Sequence, residues 1–216
     1  MHLILMACPR PAPNWHSAIA SATLAGFRGP ITVCLDAPTV RESERDFYQH
    51  LGVRIRTTTE ADERTQAERT PAQRALYTAV RCLRACQGDT IQVVAEDDIT
   101  FARGWMDRLQ RQEHLLRNGV ILGYTRHSLT DGIHEVADDW DSTLLVAWHA
   151  KLAHRAADEI GRSSLPADNA LSKFWREHEI RRWTFAPSLV QHMGDDALVN
   201  PQDGRRRTPN WRPNEN

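Results

Sequence analysis

The sequence predicts an α/β fold, a mixed sheet flanked by helices, in one domain. Three observations carry that prediction. Short apolar runs rich in β-branched residues, such as Ile31-Thr32-Val33-Cys34-Leu35 and Ile91-Gln92-Val93-Val94, are too short for helices and read as buried strands. Segments of helical length separate the early runs, and strands joined in this way pair in parallel through right-handed crossovers. The third observation is Val93-Val94-Ala95-Glu96-Asp97-Asp98, an apolar strand that ends in three consecutive acids. Ligands in open α/β sheets sit at the carboxyl ends of strands. Two carboxylates about 4 Å apart repel by roughly 4 kcal/mol at an effective dielectric of ~20, so such a cluster recruits a proton, a cation or hydrogen-bond donors. A divalent metal answers that need, and so, more simply, does the dipole at the start of the next helix.

The whole chain sets bounds on these readings. Its 216 residues suit one domain with a substantial core. Contents of 41% hydrophobic and 25% charged residues are those of a soluble globular protein. A formal net charge of −1 provides no general attraction to nucleic acid or anionic membrane. The opening Met1-His2-Leu3-Ile4-Leu5-Met6 lacks the basic flank of a signal peptide, and no run approaches the ~20 apolar residues of a membrane span. A cytoplasmic setting is expected. Cys8 and Cys34 lie in strand-like segments, and Cys82 and Cys86 are one helical turn apart with no second ligand pair nearby. They read as reduced thiols rather than as a disulfide framework or a metal site.

Taken in order, His2–Ala7 is the first strand, broken by Pro9-Arg10-Pro11-Ala12-Pro13. Asn14 then caps a helix carrying Ile19, Ala22, Leu24 and Phe27, which Gly29-Pro30 stops. Ile31–Leu35 is the second strand and ends at Asp36; a helix over 41–51 leads to the third, Val53–Arg56. Residues 57–69 are polar without apolar periodicity and read as a loop. Pro71 opens a helix whose Leu76, Ala79, Val80 and Leu83 form a core-facing stripe, and Gly88-Asp89 ends it before the acid-bearing strand.

After the acids, Trp105, Met106, Leu109, Leu115 and Leu116 predict an amphipathic helix, and residues 120–123 a strand. Residues 124–141 are polar, hold Trp140 among acids, and are long enough for a functional loop. The apolar stretch 142–148 leads to a helix through Leu152 and Ile160, and a second helix begins within 165–169 with Leu171, Phe174 and Trp175 on one face. Residues 180–185 and 188–191 are short strands. The domain is placed at 1–202. Residues 203–216, with Arg205-Arg206-Arg207 and Trp211-Arg212, form a basic tail, either flexible or in contact with phosphate.

Several of these stretches, in this order, resemble glycosyltransferases of the GT-A fold, in particular the inverting N-acetylglucosaminyltransferase I type and small bacterial and phage enzymes. Leu3-Ile4-Leu5-Met6-Ala7-Cys8-Pro9-Arg10 is similar to that family's first strand, which ends in arginine, and Ile31 to Asp36 to its second, which ends in aspartate. Glu96-Asp97-Asp98 with Phe101 resembles its Glu-Asp-Asp variant of the Asp-x-Asp metal signature. Pro187-Ser188-Leu189-Val190-Gln191-His192-Met193-Gly194 resembles the ending of small enzymes of this kind. The likeness covers Leu3 to about Val199 and is diffuse between the motifs.

The resemblance implies a single-domain GT-A (Rossmann-like) sheet and a metal-dependent, inverting transfer of a sugar from a nucleotide-sugar, a UDP-sugar, to a hydroxyl acceptor. The acceptor is a saccharide or, alternatively, a hydroxymethylated base in DNA. Mn²⁺ or Mg²⁺ would stabilise the departing diphosphate. Asp98 is the first choice of metal ligand. His192 is a second ligand or a plain rim histidine. Glu96 and Asp97 face sugar and ribose; on an extended strand Glu96 and Asp98 point one way and Asp97 the other. Arg10 pairs with phosphate or is a solvated loop arginine, and Asp36 meets the base or ribose or merely forms a turn before Pro38. Trp140 offers a stacking face. Asp168 is the general base or a helix cap, with Asp138, Asp139 and Asp141 as the fallback. Two other classes compete: a metal-dependent phosphotransferase or nuclease, and a non-catalytic nucleotide- or sugar-binding module.

Overall fold

The computed structural model describes residues 1–8, 14–38, 40–125, 129–136 and 144–193. The first half alternates strand and helix: β1 (His2–Ala7), α1 (Trp15–Leu24), β2 (Ile31–Leu35), α2 (Glu42–His50), β3 (Val53–Arg56), α3 (Glu60–Gln66), α4 (Pro71–Ala85) and β4 (Gln92–Glu96). The second half adds β5 (Ile99–Phe101), α5 (Trp105–Gln110), a 3₁₀ turn at Glu113–Arg117, β6 (Gly119–Leu122), β7 (Gly132–Glu135), β8 (Leu145–Trp148), α6 (Ala150–Ile160), α7 (Ala167–Glu177), β9 (Arg181–Ala186) and β10 (Val190–His192).

Eight strands form one mixed sheet in the order β3-β2-β1-β4-β8-β6-β9-β7, and β10 and β5 form a separate antiparallel pair. β1, β2, β3 and β4 run parallel, as the crossover rule requires. β8 is antiparallel to both β4 and β6, which restores the original direction to β6 and β9. Side chains alternate between two cores with the period of two that strands impose. Leu3, Leu5, Val33, Val93, Ala95 and Ile121 face the α1 and α5 side. Ile4, Cys34, Val94, Val120 and Val146 face α4, α6 and α7. Central strands covered on both faces read as continuous apolar runs, which is why the sequence shows them so clearly.

Four local expectations change. Residues 57–69 are not all loop. Glu60–Gln66 is helical without an apolar stripe because Thr59 and Asp62 form a reciprocal capping box. The polar stretch 124–141 contains β7, whose Ile133 pairs with Phe185 of β9; a short edge strand needs only one face against a neighbour. The helix after the acids is preceded by β5 and divides into α5 and the 3₁₀ turn. Asn14 makes no side-chain cap bond, and Leu24 lies at the exposed end of α1. The cysteines are free, with Cys34, Cys82 and Cys86 buried, as expected for reduced thiols.

Candidate active site

β1 pairs with β2 on one side and β4 on the other, so the strand order reverses at β1 and opens a crevice at the carboxyl ends of β1 and β4. Glu96 closes β4 in register with Met6 of β1, and its backbone N–H donates to the Leu144 carbonyl at 3.0 Å. The chain then bends at Asp97 and Asp98 before resuming as β5. The strand therefore does not stay extended through the acids, and the bend, rather than the pleat, separates the two aspartates.

They take different partners. The backbone N–H of Cys8, just past the end of β1, donates to Asp97 Oδ2 at 3.3 Å, which fixes this buried carboxylate at the switch point. Asp98 meets the second, smaller sheet. β10 pairs antiparallel with β5, placing His192 opposite Ile99, and the Met193 N–H donates to the Asp98 carbonyl at 2.7 Å. That pairing brings His192 Nε2 to 3.1 Å from Asp98 Oδ2, with side-chain exposures of 7% and 4%. The two residues proposed from sequence as metal ligands are thus in direct contact.

Asp36 lies one strand beyond β1, buried at the end of β2. Arg74 Nε of α4 donates to its Oδ2 at 3.0 Å, and an Arg74 terminal nitrogen donates to its carbonyl at 3.4 Å. Burial pushes the Asp36 carboxyl above its usual range, and Arg74 opposes that shift. Its Oδ1 is buried with no hydrogen-bond partner among the described residues. Two interstrand spacings separate the ends of β2 and β4, about 10 Å.

One turn along the same helix, Tyr77 donates to Asp62 Oδ1 at 2.5 Å, and this bond together with those from Thr59 holds the Asp62 carboxyl down to about 2. Arg81, one further turn on, donates to the carbonyls of Leu35, Arg56 and Thr57 and so pins the ends of β2 and β3 together. Sequence reading found the apolar stripe of α4 and passed over this polar face. The only signal was the spacing of Arg74, Tyr77 and Arg81 on successive turns.

Asp168 is half-buried in the first turn of α7, where Pro166 occupies the cap position without a side-chain cap bond. The helix starts before Asp168, which therefore is not the capping residue. Because α7 feeds β9, which runs with β6 and hence with β4, the helix starts toward the edge where β1, β2 and β4 end. Arg10 and Trp140, the fallback acids Asp138, Asp139 and Asp141, and the basic tail 203–216 lie outside the described residues.

Among the described residues no group of three or more His, Cys, Asp or Glu side chains is gathered to hold a metal by itself. A carboxylate and an imidazole are nevertheless a suitable part of an octahedral set. Mg²⁺ and similar ions are commonly held by one or two protein groups with substrate phosphates and water completing the sphere.

The chain matches no protein-family model, and no curated protein matches it. Among solved structures it is similar to 4-diphosphocytidyl-2C-methyl-D-erythritol synthase from Anaerococcus prevotii, with a TM-score of 0.51 and 11% identity over 94% of this chain and 91% of that one. It is also similar to the galactosyltransferase LgtC in complex with donor and acceptor sugar analogs, with a TM-score of 0.56 and 11% identity over 81% of this chain and 70% of that one. At that identity the likeness is one of fold: a GT-A, Rossmann-like mixed sheet flanked by helices. No helix among the described residues is long and apolar enough to cross a membrane.

Proposed function

We propose that the chain is a metal-dependent, inverting glycosyltransferase that moves a sugar from a nucleotide-sugar, a UDP-sugar, to a hydroxyl acceptor. The observation that carries this reading is the Asp98–His192 pair, 3.1 Å apart at the carboxyl edge of the sheet, beside Asp97 at the switch point. Asp98 and His192 would hold Mn²⁺ or Mg²⁺ together with the donor diphosphate. The ion would supply Lewis-acid stabilisation of the charge that gathers on the diphosphate.

The remaining roles fall to the chain itself. The span of about 10 Å from β4 to β2 suits a nucleoside laid across the end of β1, with its base or ribose at Asp36. Glu96 and Asp97 take the sugar and ribose hydroxyls, Arg10 the phosphate, and Trp140 a sugar face. Asp168 accepts the proton of the acceptor hydroxyl as that oxygen bonds to the anomeric carbon. The anomeric bond to the diphosphate breaks, and its electron pair leaves on the diphosphate oxygen.

The likeness to the galactosyltransferase supports sugar transfer. The likeness to the synthase supports a second reading, nucleotidyl transfer, in which pyrophosphate leaves rather than a nucleoside diphosphate. The DNA-base acceptor differs from a neutral saccharide in demanding an activity that falls steeply with salt.

A thermal-shift screen of nucleotide-sugars with and without Mn²⁺, on the wild type and Asp98→Ala, tests the proposal. A cognate donor at a hundred times its Kd should stabilise by about 2.7 kcal/mol, and the Mn²⁺-dependent part should vanish in the variant. Donor binding and turnover that survive both a chelator and Asp98→Ala would overturn it.

A further inference from the structure

Beyond the donor crevice, α5 and the β7–β9 edge enclose a groove of about 350 Å³, within the ~300–1,000 Å³ usual for small-molecule sites. It shares the crevice's edge of the sheet. Pro187 follows the carboxyl end of β9, and Ala102 follows β5, the strand that begins beside Asp98. At ~3.3 Å per residue, the β5 ladder sets the groove roughly 12 Å from the Asp98–His192 pair.

The lining is mixed, and its two arginines outnumber its one carboxylate. Arg103 is exposed and forms no ion pair among the described residues. Arg108 is half-buried, with one terminal nitrogen donating to the Pro187 carbonyl at 2.6 Å and its guanidinium 5.0 Å from the centre of the Phe185 ring. The stack on Phe185 orients the planar fork, which has five N–H donors in all and a geometry matched to carboxylate and phosphate. Two arginines thus share the lining with one carboxylate, Asp131, and with Gln112, whose amide is a further donor and acceptor. Burial draws Arg108 below its usual value and the Asp131 charge works the other way, so this cation has given up hydration that an anion would return.

We infer that this groove is a binding site for an anionic saccharide, one bearing a phosphate or a carboxylate, held by the Arg108 fork and Arg103 with its ring against the half-buried Pro187 and Ile133. The inference rests on the proposed transferase activity only in assigning that saccharide as the acceptor. The binding itself is independent of any donor.

Isothermal titration of the full chain, without nucleotide-sugar, separates the two. The probes are glucose 6-phosphate, glucuronate, inorganic phosphate and uncharged glucose, against the wild type, Arg103→Gln and Arg108→Lys. Charged sugars should bind at least about tenfold more tightly than glucose, and each variant should lose about tenfold, the effect of one charge-assisted hydrogen bond. The ratio of phosphosugar to uronate identifies the preferred anion, and weaker binding of inorganic phosphate shows that the ring contributes. Both variants should stay folded and keep the donor-induced shift. Equal binding of glucose and its charged derivatives, or affinities unchanged in both variants, would overturn the site even if donors bind as proposed. Displacement of the sugar by a short DNA duplex with steep salt dependence would overturn its assignment to a saccharide. Anion binding without any donor binding would leave the groove standing and sink the transferase reading.

Discussion

Two rims of the same sheet edge handle buried carboxylates differently. Over β2 and β3, Asp36 is met by Arg74, while Arg81 binds the neighbouring carbonyls. Over β4 and β5, Asp98 is met by His192. An arginine stays protonated and can only donate, so the first rim is a fixed ion pair that braces the strand ends. A neutral imidazole can be a metal ligand alongside the carboxylate. The identity of one partner side chain therefore distinguishes a brace from a candidate ligand set, although both carboxylates follow strands of the same sheet.

Three changes break or sharpen that contrast. The largest expected effect is on the proposed chemistry. Asp168→Asn should lower the transfer rate by about 10²–10⁴, the usual contribution of a positioned general base, while leaving Mn²⁺-dependent donor binding intact. Single-turnover rates and donor titrations on one preparation separate those outcomes, and equal loss of both would remove Asp168 from the base role. Next, His192→Arg would make the second rim resemble the first. The fold should survive with an Asp98–Arg pair, and Mn²⁺ affinity should fall by about 10–100-fold because a ligand has become a competing cation. Unchanged Mn²⁺ affinity, read by paramagnetic relaxation of water protons, would deny His192 a ligand role.

The smallest effect is structural. Arg74→Ala should cost about 1–3 kcal/mol by leaving the buried Asp36 carboxylate without its donor. The pH dependence has a definite sign. Burial already raises the Asp36 carboxyl, and losing Arg74 raises it further. A folded-state value above the unfolded one favours the native state below the ordinary carboxylate range, and that advantage is lost as pH rises through the folded value. The deficit of the variant, measured by urea denaturation, should therefore be largest near neutrality and shrink in acid. Adding Asp36→Asn should recover much of it at pH 7. A deficit independent of pH would place the cost in lost packing of the Arg74 stem instead.

The elements most legible in the sequence were those buried on both faces. β1, β2 and β4 appear as apolar runs because helices cover them above and below, and the stripe of α4 appears because it faces one core. α3 and β7 escaped because neither is specified by apolar periodicity. One rests on the Thr59–Asp62 capping box and the Tyr77–Asp62 bond, the other on pairing with an already formed β9. At the site, Asp98 and His192 were named from their motifs, whereas Arg74 and Arg81 were not, since nothing local marks a surface-like arginine as the partner of a strand end.

What the sequence by itself determined was the succession of parallel strands and the acid cluster at the end of β4, because burial and β-branching are properties of short contiguous stretches. What only the tertiary structure decided was how those acids divide. The bend after Glu96 sends Asp97 back to the Cys8 N–H and delivers Asp98 to a histidine on β10. That choice depends on a three-residue antiparallel ladder between segments far apart in the chain. Its register is set by the packing of both strands against the core, which no local pattern encodes.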